Sequence, residues 1–311
     1  MIFRFDDSVK TDDDNERHLL AKCLRLMNEK GHKVDRNGCY FDFFEDNVLG
    51  TMYMGQMDID QIKSNHELFD VTNAQRADYT CLTMGFGQGM YSPSDIMVLL
   101  EKDSLIVVEN ASYDSQVIKR WAESYSDEDG KIGDVNSAVF DALEEGKLMF
   151  LNAGGGDGTI TLKIKDQLPF YGNHPQLKIT TVFDSDKNAV DDEGTHNQSL
   201  KTYLEENGYT YHCLVKREME NYFPLKVYEK CGITTEGYVF PEFSCEEWDY
   251  VEVDKLDGIK EKYEKKMLPE LAKHSKKKHF KQRVAHQSKY NSHYGEVDEI
   301  QHVLLMLAKY I

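Results

Sequence analysis

Two aspartates, Asp184 and Asp186, directly follow Ile179–Phe183, a run of β-branched and aromatic residues that is typical of a buried strand. Carboxylates crowded at a strand end repel each other and lose solvation, and a fold tolerates them most readily when a positive charge lies between them. The usual charge of this kind is a metal ion. The alternative is an Asx turn or a helix cap, because Asp, Asn and Ser clusters commonly open loops.

Two other predicted strand ends carry candidate residues. Glu109 ends the run LIVVEN, where the alternative to a functional role is a solvated rim residue. Gly154, Gly155 and Gly156 end the run MFLNAGGG, and they either provide positive φ angles in a tight turn or expose backbone N–H groups to a phosphate. The segment is not a Walker loop, since it lacks the Gly-Lys-Ser/Thr ending.

The elements that position these residues alternate between strand and helix. Capped or amphipathic helix patterns start at Ser92, Ser112, Asp157 and Asn197, and apolar strand patterns lie between them and after the last. Alternation with short connections predicts an α/β fold with a parallel sheet flanked by helices. In such a sheet the functional residues lie at the carboxyl ends of the strands.

A polar segment, KREMENYF, follows one more predicted strand. It places Lys216, Arg217, Glu218 and Glu220 together in a short turn. The acidic candidates of the chain offer only oxygen donors, which suit Mg²⁺ or Mn²⁺ and disfavour zinc.

The order of these features resembles the Toprim domain of topoisomerases, bacterial primases and several nucleases, over about residues 100–224. In that family a strand-terminal Glu precedes a glycine turn and a strand that ends in Asp-x-Asp. The resemblance implies that Glu109, Asp184 and Asp186 bind Mg²⁺ or Mn²⁺, and that Glu109 also acts in catalysis. It further implies that the glycine turn binds phosphate.

The KREMENYF segment resembles an element of phage-defence Toprim nucleases, including overcoming-lysogenization-defect nucleases and the Toprim subunit of PARIS-type systems. This resemblance implies that Glu220 is a further acidic ligand and that Lys216 or Arg217 faces the phosphate. The chain departs from the family at Asn110, where glycine is usual. Asp114 also lies five residues after Glu109 instead of four, so it either reaches the metal or caps the following helix.

Composition and charge limit the kinds of partner and the cellular compartment that we expect for the protein. The formal charge of -18 argues against electrostatic binding of nucleic acid across the whole surface, but it is compatible with a local basic site. The six cysteines form no CxxC pair, and no apolar run approaches a membrane span. We therefore expect reduced thiols and a cytoplasmic protein without a membrane segment.

Residues 225–311 contain 15 basic and 15 acidic residues, and the basic ones gather in Lys255–Lys289, within which the run KHSKKKHFKQR has no acidic residue. Such a run is either a solvated helix face or a clamp for a nucleic-acid backbone. The closing segment EVDEIQHVLLMLAKYI predicts an amphipathic helix that packs on the domain or forms a dimer interface. The candidate nucleic-acid contacts are Lys273, Lys276, Lys277, Lys278, Lys281 and Arg283.

These expectations give three regions. Residues 1–95 form an α+β regulatory or docking region, 96–224 a Toprim-like catalytic domain, and 225–311 a helical, lysine-rich region. The resemblance implies a metal-dependent endonuclease acting on tRNA or DNA, a toxic anti-phage effector restrained by a partner such as an ATPase. The alternative is a catalytically degenerate Toprim subunit with a binding or scaffold role.

Overall fold

A computed structural model describes residues 1–34, 80–154, 157–192, 197–233, 244–256 and 268–311. The chain divides into two compact units. The first comprises Met1–Asp103, Leu168–Lys178 and Tyr310, and the second comprises Ser104–Gln167, Ile179–Lys309 and Ile311. These units differ from the three predicted regions, because the predicted boundary after residue 95 falls inside a helix and residues 225–309 belong to the same unit as the candidate site.

The first unit contains a parallel sheet in the order β2-β1-β3, formed by β1 (Ile2–Phe5), β2 (Lys33–Val34) and β3 (Cys81–Met84). Helices α1 (Asp14–Glu29) and α2 (Pro93–Glu101) supply apolar side chains to the core of this unit. The sequence also predicts two short strands around Asn37 and Gly38. The first of them coincides with β2, and the turn lies outside the described residues.

Helix α2 begins with the capping box that its sequence predicts. The hydroxyl of Ser92 accepts a hydrogen bond from the Asp95 N–H at 3.1 Å, and the Asp95 carboxylate accepts one from the Ser92 N–H at 3.2 Å. We expect Ser92→Ala to lower the free energy of unfolding by about 1 kcal/mol, measured by chemical denaturation. Ser94→Ala, at an exposed position inside the same helix, is the control, and a similar loss there would contradict the capping argument.

The second unit contains a sheet of four parallel strands in the order β5-β4-β6-β7. This sheet and the helices between its strands confirm the predicted α/β class. One helix that was not predicted from the sequence, α4 (Lys131–Glu144), adds to the expected alternation. The elements are β4 (Ser104–Val108), α3 (Asp114–Ser126), α4 (Lys131–Glu144), β5 (Leu148–Asn152), α5 (Asp157–Tyr171), β6 (Ile179–Phe183), α6 (Gln198–Glu206) and β7 (Tyr211–Cys213).

The remaining described elements belong to the same unit and are mostly short helices. The last of them, α11 (Glu299–Ala308), completely buries Ile300, Val303, Leu304 and Leu307, which agrees with packing on the domain. None of the helices in the described ranges is long and apolar enough to span a bilayer. The elements are α7 (Leu225–Lys230), α8 (Cys245–Trp248), α9 (Leu268–His274), α10 (Lys277–Val284), β8 (Tyr290–Ser292), β9 (Gly295–Val297) and α11 (Glu299–Ala308).

Candidate functional site

The candidate acidic residues follow two neighbouring strands. Strand β4 lies between β5 and β6, and its pairing with β6 runs to Val107 opposite Thr181. Continuing this register places Glu109 across from the last residue of β6, one position before Asp184. The carboxyl ends of parallel strands share one edge of a sheet, so both carboxylates belong to the same edge.

The loops after β4 and β5 are joined by hydrogen bonds. The Gly154 N–H donates to the Glu109 carbonyl at 3.0 Å and to the Asn152 side-chain oxygen at 3.2 Å, and that oxygen also accepts from the Ala111 N–H at 3.3 Å. Gly154 has a φ of +91°, which favours glycine. The predicted phosphate turn thus begins beside Glu109, while Gly155 and Gly156 lie outside the described residues.

The Asp-Ser-Asp segment forms a tight turn held by the KREMENYF segment. The N–H groups of Ser185 and Asp186 both donate to the Arg217 carbonyl at 3.1 Å. Asp186 has a φ of +54°, a left-handed conformation that Asp tolerates better than most residues. One carboxylate oxygen of Asp184 accepts from the Met219 N–H at 3.0 Å. The two predicted motifs therefore form one structural element.

Arg217 fixes this pair of loops through its side chain. Its guanidinium donates to the Lys187 carbonyl at 3.2 Å and forms ion pairs with Glu218 at 3.1 Å and Glu252 at 3.0 Å. The side chain is only 12% exposed. Because these partners engage the guanidinium from several sides, the structure gives Arg217 a positioning role in addition to its predicted contact with phosphate.

Lys216 does not occupy the predicted position. Its side chain is fully buried, with Nζ 2.5 Å from Asp249 Oδ1 and 5.3 Å from the centre of the Tyr222 ring. Burial and the nearby charge of Arg283 lower the pKa of Lys216 to about 8, against the opposing effect of Asp249. The prediction that Lys216 faces a phosphate is therefore corrected, since its ammonium belongs to an interior ion pair.

Asp249 is the centre of that interior network. Its carboxylate also forms an ion pair with Arg283 and lies 2.6 Å from Nε2 of His286. Arg283 is 4% exposed and donates through Nε to the Asn221 carbonyl at 3.0 Å. The predicted nucleic-acid role of Arg283 is thus also corrected. Asp249 could not be identified from the sequence, because no charge pattern indicates that an acid will meet cations from other segments.

A second buried acid, Glu299, holds the KREMENYF segment and the residue before it in place. It accepts hydrogen bonds from the Tyr222 hydroxyl at 2.6 Å and the Val215 N–H at 2.7 Å, and it pairs with His212 at 2.9 Å. Burial would raise the pKa of Glu299, but these partners outweigh burial and hold the pKa below its usual range. The sequence carried one signal for Glu299, since this acid comes directly before the apolar residues of a predicted amphipathic helix.

The two remaining predicted acidic ligands are buried. Asp114 is 7% exposed, and its carboxylate accepts from the Asn110 N–H at 2.8 Å, which closes the turn before α3. The helix begins at Asp114 itself, and its N-cap residue Tyr113 makes no side-chain capping bond, so neither predicted role of Asp114 is seen in this contact. Glu220 is 1% exposed and lies in the 3-10 turn Met219–Tyr222, where its carbonyl accepts from the Tyr228 hydroxyl at 2.8 Å. A direct ligand role for Glu220 would require an ion in the interior.

The remaining lysines that were predicted to contact nucleic acid fall into two groups, those that lie near an acid and those that are exposed. Lys277 and Lys281 form ion pairs with Glu128 at 3.1 and 2.7 Å, and Lys273 lies 3.7 Å from Glu270. Lys276 and Lys278 are exposed at the start of α10.

Among the described residues, no group of three or more His, Cys, Asp or Glu side chains is arranged to hold a metal ion. Mg²⁺ usually retains several waters and takes only one or two carboxylates from the protein, with phosphate oxygens completing its shell. The oxygen donors of Asp184, Asp186 and Glu109 therefore fit Mg²⁺ or Mn²⁺ in their chemistry, without a preformed protein cage.

Comparisons with protein-family models, with curated proteins and with solved structures found no match to this chain.

Proposed function

We propose that this chain is a metal-dependent endonuclease of the Toprim type, which cleaves phosphodiester bonds in nucleic acid. One observation carries the proposal. Glu109 and the Asp184–Asp186 turn follow neighbouring parallel strands and lie at the same edge of the sheet. This is the edge at which α/β folds bind substrates.

The residues of the site divide into ligands and positioning groups. Asp184 and Asp186 would hold Mg²⁺ or Mn²⁺, with Glu109 completing the shell or accepting a proton from the attacking water. When bound, the ion would stabilise negative charge on the phosphodiester oxygens. The Met219 N–H orients the Asp184 carboxylate, and the Arg217 carbonyl fixes the turn between the two aspartates.

The proposed biological role comes from the KREMENYF resemblance. By that analogy the substrate is tRNA or DNA, and the protein is a toxic effector of anti-phage defence. Such an effector must be restrained, so we propose an ATPase or another component of a defence complex as its partner. Residues 1–95, which carry no predicted catalytic residue, are the proposed docking region.

A second candidate is a degenerate Toprim subunit that binds or scaffolds without cutting. Two observations favour it. The described residues contain no preformed group of three metal ligands, and Lys216 serves an interior ion pair. Asn110, in place of the usual glycine, also agrees with this alternative.

The two candidates are separated by incubating the purified protein with total tRNA and with plasmid DNA, in Mg²⁺, Mn²⁺ or EDTA. We expect metal-dependent cleavage of one substrate, lost in EDTA and in Glu109→Gln. Glu144→Gln, at an exposed site of the same unit, is the control and should cleave at the wild-type rate. Equal cleavage by Glu109→Gln would show that the active site lies elsewhere. No cleavage together with no metal binding in calorimetry would favour the scaffold.

A further inference from the structure

Four exposed lysines lie on two helices of the second unit, and we call them the lysine surface: Lys226, Lys230, Lys276 and Lys278. Lys226 and Lys230 are four residues apart on α7 and therefore share one helix face. Lys276 and Lys278 lie at the start of α10. Only the last two belong to the basic run that the sequence analysis identified.

Two side-chain contacts bring α7 and Phe223, which precedes it, close to α10. Lys226 donates to the side chain of Gln282 on α10 at 3.0 Å, and the rings of Phe223 and Phe280 pack edge to face at 5.8 Å between centroids. The combined positive charge of these lysines also affects His279, which lies on α10. Its pKa is lowered first by burial and then by the charges of all four members of the lysine surface.

Neighbouring basic residues are neutralised by acids. Glu128 forms ion pairs with Lys277 and Lys281, and Glu270 lies within ion-pair distance of Lys273. Near the lysine surface, α7 also exposes Glu229. Within α7 and α10 alone, Glu229 is the one carboxylate, so the exposed side chains of these two helices are mainly positive on a chain whose formal charge is -18.

The lysine surface is close to the candidate site through α10. The buried face of α10 packs on the 3-10 turn Met219–Tyr222, and Arg283 on that face donates to the Asn221 carbonyl at 3.0 Å. The same turn supplies the Met219 N–H that holds Asp184. The lysine surface and the proposed metal ligands are thus supported by one structural element.

We propose that the lysine surface binds the phosphodiester backbone of nucleic acid and holds the substrate for the site at the sheet edge. Its role in holding substrate rests on the proposed nuclease function, whereas binding itself does not. Lysines present point charges to phosphates and read little of the base sequence. The ligand is therefore a polyphosphate backbone, and we expect its affinity to depend on salt and only weakly on sequence.

The test measures binding of labelled tRNA and labelled duplex DNA by fluorescence anisotropy, in EDTA, over a series of salt concentrations. The patch variant combines Lys226→Glu with Lys278→Glu, one change on each helix. The control combines Lys131→Glu with Lys309→Glu, two exposed lysines of the same unit outside the patch. Both variants change the net charge equally, and their thermal unfolding midpoints check that the fold is retained.

We expect the patch variant to bind at least about tenfold more weakly than the wild type and its salt slope to fall by about two, while the control stays close to the wild type. The better-bound probe identifies the nucleic-acid class. Equal binding by the patch variant and the control would overturn the inference, as would a wild type that binds neither probe at low salt. Lysine-dependent binding without cleavage in Mg²⁺ or Mn²⁺ would support the surface and argue against the nuclease.

Discussion

Replacing Asp249 with alanine is expected to lower the free energy of unfolding by about 3–5 kcal/mol, because it leaves the buried cations Lys216 and Arg283 without their carboxylate. Lys216 is fully buried and Arg283 is nearly so, and water cannot replace the lost partner at either site. Denaturation by urea, followed by circular dichroism, measures the change. A loss below about 1 kcal/mol would show that the network contributes little.

Two further variants separate the loss of charge compensation from the loss of packing. Glu144→Ala removes the exposed ion pair with Lys119 and should cost less than about 1 kcal/mol. The double variant Asp249→Ala with Lys216→Met removes one of the stranded cations while keeping its apolar volume. We expect it to be more stable than Asp249→Ala alone. A double variant that is less stable than Asp249→Ala would contradict the electrostatic explanation.

The parts of the fold that the sequence predicted well are those with local signals. The apolar run Ser104–Val108, the run Ile179–Phe183 and the capping box at Ser92 each contain their own pattern of apolar, turn or cap residues. Alternation of such elements constrains the chain to a parallel sheet, since short helical connections return each strand in the same direction. For this reason the common edge of Glu109 and Asp184 followed from sequence order alone.

The roles of Lys216 and Arg283 could not be predicted in this way. Their partner Asp249 is 33 residues from Lys216 and 34 residues from Arg283 in the sequence. From the sequence alone, each of these cations is expected to be a surface charge. Lys226 and Lys230 were missed for a related reason. They lie on a short helix whose neighbour in space, α10, comes some 50 residues later. Charge clusters assembled from distant segments are properties of tertiary structure.

Asp184→Asn is expected to lower the rate of metal-dependent cleavage by at least about 100-fold, because disturbing even the hydrogen-bonding partners of metal ligands commonly costs 10–100-fold. The fold should survive the change. The side-chain oxygen of asparagine can still accept from the Met219 N–H, as the Asp184 carboxylate does at 3.0 Å. Initial rates at saturating Mg²⁺, together with metal titration by calorimetry, measure the effect.

Asp114→Asn is the matched control, since Asp114 and Asp184 are both 7% exposed and each accepts a hydrogen bond from a backbone N–H. If Asp114 only closes the turn before α3, its asparagine variant keeps the bond to Asn110 and cleaves at close to the wild-type rate. Loss of cleavage in Asp114→Asn with an unchanged unfolding midpoint would instead assign Asp114 to the metal site. Full activity in Asp184→Asn would remove the strand-end turn from the mechanism, and with it the explanation for two adjacent carboxylates after β6.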